Sequence, residues 1–193
     1  MAECPLKDDT FDMMQELKFS SHELKMITGD NQLTAAFIGQ KLEFSKGPSL
    51  FASLCVDEGV ITWTDIDEKP VLTTRTLNDL QKLSQNNLLC IQGEVLAKLL
   101  SMQDHFACAR LVKCIHLFAR TSPSQKAVIV GMLNSLGHKT LMCGDGTNDV
   151  GSLKRADVGL AIVNNKEPSK EKKAEMKTMS MWVDKKKLEG KTW

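Results

Sequence analysis

The 193-residue chain has no tyrosine, and aromatic residues make up only 5% of it. It also lacks any apolar run near the ~18 residues of a membrane-crossing helix. The most apolar stretches, Leu111–Ala119 and Val158–Val163, are short and interrupted by polar residues. The opening residues, Met1-Ala2-Glu3-Cys4-Pro5, carry neither the basic region nor the apolar core of a secretory signal. No CxxC motif links the six cysteines (Cys4, Cys55, Cys90, Cys108, Cys114, Cys143), and none is paired with histidine at zinc-finger spacing. Cys108, Cys114 and His116 are neighbours at a spacing that fits no common metal site, so buried, reduced thiols are expected there. Neither charge dominates: 25 Lys and Arg face 24 Asp and Glu, a net of +1, which gives no global reason to seek nucleic acid. These absences lead us to expect a chain that is cytoplasmic and soluble by itself, built as one domain.

What is present is globular in character, with 42% hydrophobic and 25% charged residues. The charge is unevenly spread. Residues 164–193 hold nine lysines and five acids, a net of +4, which leaves −3 for residues 1–163. We therefore expect a partial domain over 1–163 and a basic, flexible tail over 164–193. Such a tail offers weak docking to an acidic membrane surface.

Over 1–163, strand and helix patterns alternate. Helical spacing appears at 9–19, 33–44, 77–83, 94–102, 106–113, 123–136 and 147–156; short apolar strands appear at 24–27, 59–64, 87–92, 115–119, 139–143 and 158–163. Ser122 followed by Pro123 reads as a helix cap and first turn. Alternation of this kind predicts an α/β fold with a parallel sheet covered by helices on both faces. Ligands of such sheets lie at the carboxyl ends of strands. That directs attention to Thr28-Gly29-Asp30, to Arg120 through Lys126, and to Gly144 through Asp149.

The third segment is the most informative. In Gly144-Asp145-Gly146-Thr147-Asn148-Asp149 the glycines permit a tight strand-to-helix turn whose backbone N–H groups suit phosphate. Two carboxylates beside a phosphate would repel it unless a cation lies between them, and hard oxygen donors next to phosphate fit Mg²⁺. Asn148 offers an amide donor to a phosphate oxygen. A dinucleotide-binding loop would want glycine where Asp149 stands. The other two segments are weak in isolation: TGD serves as an ordinary turn, and a lysine on a first helical turn is commonly solvated.

Taken in order, the three segments resemble the haloacid-dehalogenase-like phosphoryl-transfer fold. The strings MITGDN, FARTSPSQK and MCGDGTNDVGSLKRADVGLA are similar to the phosphorylation domain of P-type ATPases, and most of all to the type-V group, subgroup A, the endoplasmic-reticulum enzymes. LCIQG at 89–93 resembles that family's LCxTG stretch, with Gln92 where threonine is usual. The likeness runs from about Cys4 to Val163 and does not include the tail.

The resemblance implies a Rossmann-type parallel sheet and an ATP-driven aspartyl-phosphate cycle using Mg²⁺. It implies phosphate contacts from Thr28 and Gly29, and nucleotide contacts from Asp30 and Arg120. Lys126 is implied to neutralise the transferred phosphoryl group. Asp145 is implied as the principal Mg²⁺ ligand, with Asp149 beside it and Asn148 bonding phosphate. The implied partners are ATP and the nucleotide-binding, actuator and membrane domains of a parent in the endoplasmic-reticulum membrane, facing the cytosol.

The nucleophilic DKTGT segment of that family occurs nowhere in this chain. Asp65-Ile66-Asp67 superficially resembles the DxD of soluble phosphatases, but it follows TGD when it should precede it, and Lys69 stands where threonine or valine is usual. The expected fold is thus incomplete, lacking the first strand, with two sheet edges exposed. Three functions stay open: an inactive piece of a membrane ATPase that drives transport or transmembrane-segment dislocation, a non-catalytic interaction protein, and a soluble phosphatase.

Overall fold

A computed structural model describes residues 6–55, 60–102 and 104–162, with the side chains of 53–55 excluded. The tail expected over 164–193 lies outside these residues. The chain divides into two units, Met1–Ala161 and Ile162–Trp193. Among the described residues no helix is long and apolar enough to cross a membrane.

The first unit is α/β. In chain order it contains α1 (Thr10–Phe19), β1 (Met26–Ile27), α2 (Gln32–Lys41), β2 (Ser49–Cys55), β3 (Val60–Thr64), β4 (Pro70–Thr74), α3 (Leu77–Asn86), β5 (Leu88–Gln92), α4 (Gly93–Met102), α5 (His105–Cys114), β6 (Leu117–Ala119), α6 (Pro123–Ser135), β7 (Leu141–Gly144), α7 (Val150–Arg155) and β8 (Val158–Ala161). A single 3₁₀ turn, Thr147–Asp149, precedes α7.

Six strands form one sheet in the order β1-β6-β5-β2-β3-β4, and β7 and β8 form a separate parallel pair. The first four strands of the large sheet are mutually parallel. The expectation of an all-parallel sheet is corrected here: β3 runs antiparallel to both β2 and β4, so the sheet is mixed. The reason is local. A short hairpin joins β3 to β4, in which the Asp65 N–H donates to the Lys69 carbonyl at 3.0 Å and Glu68 takes a left-handed φ of 61°. Asp65 Oδ1 accepts the N–H groups of Asp67 and Lys69, both at 2.9 Å. The Asp65-Ile66-Asp67 string is therefore turn chemistry.

Alternation along the central strands builds two cores. Leu89, Ile91 and Phe118 enter one with Trp63, Leu96, Val112 and Ile129; Leu88, Cys90, Leu117 and Ala119 enter the other with Ala35 and Ala36 of α2. Helices thus cover both faces, α2 on one and α3–α6 on the other. With both faces buried, β5 reads as a continuous apolar run. Trp63 is wholly buried, and its Nε1–H donates to Thr74 Oγ1 at 2.9 Å, so the largest core side chain has no unsatisfied donor.

Candidate functional site

The strand β1 ends in the turn Thr28-Gly29-Asp30-Asn31. Thr28 Oγ1 donates to Asp30 Oδ2 and accepts the Asp30 N–H, each at 3.0 Å. Asn31 Oδ1 accepts the Leu33 N–H at 2.8 Å, capping α2. The Thr28 hydroxyl is half-buried, while Gly29 and Asp30 are exposed at the strand end.

The segment after β6 is tied to this turn. The Arg120 N–H donates to the Asp30 carbonyl at 3.0 Å, and the Thr121 N–H and Oγ1 both donate to the Thr28 carbonyl, at 3.1 and 2.9 Å. Arg120 adopts a left-handed φ of 50°, unusual for a residue with a Cβ. Beneath it, a Cβ on Gly93 would lie 2.5 Å from the Arg120 carbonyl oxygen, so only glycine permits this approach. The Arg120 side chain is exposed.

Ser122 and Gln125 form a capping box at the start of α6, and Gln125 Nε2 also donates to the Gly93 carbonyl at 2.7 Å. Lys126, one turn in, is turned inward and buried. Its Nζ donates to Asp149 Oδ1 at 2.7 Å, with both side chains about one-tenth exposed. Asp149 closes the 3₁₀ turn after β7, where its N–H donates to the Gly146 carbonyl at 3.1 Å. A Cβ at Gly144 would stand 2.7 Å from Asp149 Oδ2, so Gly144 makes room for that carboxylate. Asp145 and Asn148 are exposed on the same loop.

The motif residues therefore form two tiers. Lys126, Asp149 and Thr121 are buried; Gly29, Asp30, Arg120, Asp145 and Asn148 are at the surface. A chain of contacts, Thr28 to Thr121 and Lys126 to Asp149, connects the β1 turn to the β7 loop through the first turn of α6. A cation, two carboxylates, an amide and turn N–H groups thus belong to one connected frame, suited to holding a phosphate with a hard cation. No group of three or more His, Cys, Asp and Glu placed to hold a metal ion together occurs among the described residues. Mg²⁺ does not need one, because it keeps several waters and takes one or two carboxylates.

Thr121 and Gln125 were not singled out from sequence. The S-x-x-Q capping pattern was the signal available for Gln125, whereas Thr121 is recognisable only through its contact with a residue 93 positions earlier. Away from the site, Cys108 and Cys114 are buried, and His116 Nδ1 accepts the Leu89 N–H at 3.2 Å.

No protein-family profile matches the chain. Individual curated proteins do. Over 165 residues the chain is 38% identical to a probable manganese-transporting ATPase, PDR2, of Arabidopsis thaliana, covering 86% of this chain and 14% of that protein. Over 181 residues it is 35% identical to the endoplasmic reticulum transmembrane helix translocase of Saccharomyces cerevisiae, covering 91% of this chain and 15% of that protein. It is 31% identical over 174 residues to the vacuolar cation-transporting ATPase YPK9 of the same yeast, covering 81% of this chain and 12% of that protein. The chain thus spans about a seventh of the length of these relatives.

Proposed function

The chain belongs to the type-V P-type ATPases, and on that premise we propose that residues 1–163 supply the Mg²⁺- and phosphate-binding half of a haloacid-dehalogenase-like phosphorylation domain. The nucleophilic aspartate comes from a strand outside this chain.

One observation carries this reading. Two of the three strands that end in motif loops are sheet edges, β6 being interior: β1 terminates the six-stranded sheet and β7 terminates the two-stranded one. Each is parallel to its one neighbour. In β1, the N–H groups of Met26 and Thr28 donate to the β6 side, at 2.9 and 2.8 Å, so by alternation the backbone groups of Ile27 point to the open edge. In β7, Thr140 bonds toward β8, which turns the backbone of Leu141 and Cys143 to its open edge. A parallel strand added between these edges would bond to both. It would also deliver its last residue among Thr28, Lys126 and Asp145.

In this reading the chain's own groups position and stabilise charge, which is most of what phosphoryl transfer requires. Thr28 and the Gly29 N–H hold phosphate oxygens, and Asn148 donates to another. Lys126, oriented by Asp149, places its ammonium against the transferred group. Arg120 and Asp30 lie on the exposed rim, where a nucleotide would approach. Asp145 and the Oδ2 of Asp149 would hold Mg²⁺, which when bound neutralises phosphate charge. ATP is the phosphoryl donor of the parent enzyme, and its other domains are the partners.

The names of the relatives support a parent in the endoplasmic-reticulum membrane, moving transmembrane segments or cations. Relatives named endoplasmic reticulum transmembrane helix translocases are 35–39% identical and the probable manganese-transporting ATPase is 38% identical, whereas the vacuolar and other relatives named cation-transporting ATPases are 29–31% identical. Residues 164–193 form the basic tail of the proposal.

The test has two arms. The 193-residue chain mixed with Mg²⁺ and ATP should release no phosphate in a malachite-green assay. In NMR, Mg²⁺ with inorganic phosphate should shift the amides of Asp145 and Asn148, and Asp145→Asn should remove the shift. Turnover that Asp145→Ala abolishes, or Mg²⁺ shifts indifferent to Asp145→Asn, would overturn the proposal.

A further inference from the structure

The geometry points to Thr121 as a positioning residue for the β1 turn: its two donors fix the direction in which the Gly29 N–H meets a phosphate oxygen. The inference rests on the phosphate-binding role proposed for residues 1–163, and it gives a part to a side chain that the proposal leaves without one.

Thr121 is buried, and both of its donors go to one atom. Its N–H and its Oγ1 reach the Thr28 carbonyl oxygen at 3.1 and 2.9 Å, which engages both lone pairs of that oxygen. On the other side of Gly29, the Asp30 carbonyl accepts the Arg120 N–H at 3.0 Å. One segment therefore grips the turn on either side of its glycine. The backbone of Arg120 makes this possible. Its left-handed φ of 50° lets the successive N–H groups of Arg120 and Thr121 face the same turn, as in a backbone nest.

The consequence lies in the peptide plane. The Thr28 C=O and the Gly29 N–H belong to one trans peptide unit, in which they point in opposite directions. Holding the carbonyl against Thr121 thus directs the Gly29 N–H away from Thr121. That N–H has no acceptor among the described residues. The space beside it is open, since a Cβ on Gly29 would meet nothing within 4 Å. The Thr28 hydroxyl, by contrast, already donates to Asp30 Oδ2 and accepts the Asp30 N–H. Glycine backbone is intrinsically free to turn, and the grip of Thr121 removes that freedom before an anion arrives.

Inorganic phosphate with Mg²⁺, titrated into the 193-residue chain, tests this at the Gly29 amide in ¹H–¹⁵N NMR. Thr121→Val keeps the branched shape and the N–H and loses the hydroxyl donor. It should raise the phosphate Kd read at Gly29 about fivefold, the factor expected for one hydrogen bond, and Thr121→Ser should return it to within about twofold of the parent. The parent chain supplies a second measurement: the residual dipolar coupling of the Gly29 N–H should be the same before and after phosphate. An unchanged Kd in Thr121→Val, a Thr121→Ser chain as weak as Thr121→Val, or a parent coupling that changes with phosphate would overturn the positioning role. If Asp145 and Asn148 still respond in those cases, the phosphate-binding reading stands without it. Silence at Asp145, Asn148 and Gly29 together would overturn both.

Discussion

Lys126 and Asp149 meet at 2.7 Å in a buried ion pair, although 23 residues separate them in the chain. The contact fixes the first turn of α6 to the loop after β7. It also gives each charge the partner that burial demands.

Breaking one side should therefore cost more than removing both. Lys126→Ala leaves a buried, unpaired carboxylate and should destabilise the chain by about 3 kcal/mol. The double variant Lys126→Met with Asp149→Leu should lose clearly less. Urea unfolding of the three proteins measures the difference, and a double variant as unstable as Lys126→Ala would show that the pair is not what holds the loop.

Stability should also depend on pH through His116. Burial first, and then the nearby Lys25 cation, pushes its pKa from 6.5 down to about 4, with Glu23 acting in the opposite direction. The folded state thus favours the neutral ring, whose Nδ1 accepts the Leu89 N–H. Between pH 6.5 and about 4 the unfolded chain binds more protons at this site. This contribution is complete above 6.5 and is lost as pH falls toward 4. His116→Gln should flatten that part of the profile of urea midpoints against pH; an unchanged slope would assign it to other groups.

A third expectation concerns Gly93. The Cβ of Gly93→Ala would lie 2.5 Å from the Arg120 carbonyl oxygen and 2.6 Å from Gln125 Oε1. Backbone must then shift, at a cost of ~1–3 kcal/mol. Amide resonances of Arg120 through Gln125 should move while those around Trp63 stay in place. A variant as stable as the parent, with those amides unmoved, would mean that the left-handed Arg120 does not depend on this approach.

The parallel half of the fold was legible where local signals agreed. Ser122, Pro123 and the apolar positions after them mark α6, and the continuous run at Leu88–Gln92 marks a strand buried on both faces. The antiparallel half was only partly legible. β3 showed in Val60–Thr64, but β2 inserts Leu50 and Ala52 into one core and Phe51 into the other, which erases the alternation that betrays a strand. β4 opens on Pro70, a residue tolerated at a strand's first position but read as a break. At the site, the order of motifs identified the residues, yet sequence could not say which would turn inward. Lys126 and Asp149 are buried, and Asp145 is exposed, because α6 and the β7 loop meet in space.

The pair β7–β8 carries a further consequence. Every residue of β8 is exposed, and Leu141, Val158 and Leu160 are each more than half accessible. A two-stranded ribbon of this kind is marginal without a third strand or a covering layer, and elements with few buried contacts open first. In hydrogen exchange the amides of β7 and β8 should therefore trade protons well before those of β5 and β6. The isolated chain would keep its lysine anchored in slow-exchanging structure while the aspartate-bearing loop breathes, and an added strand would act as a clasp that silences this opening.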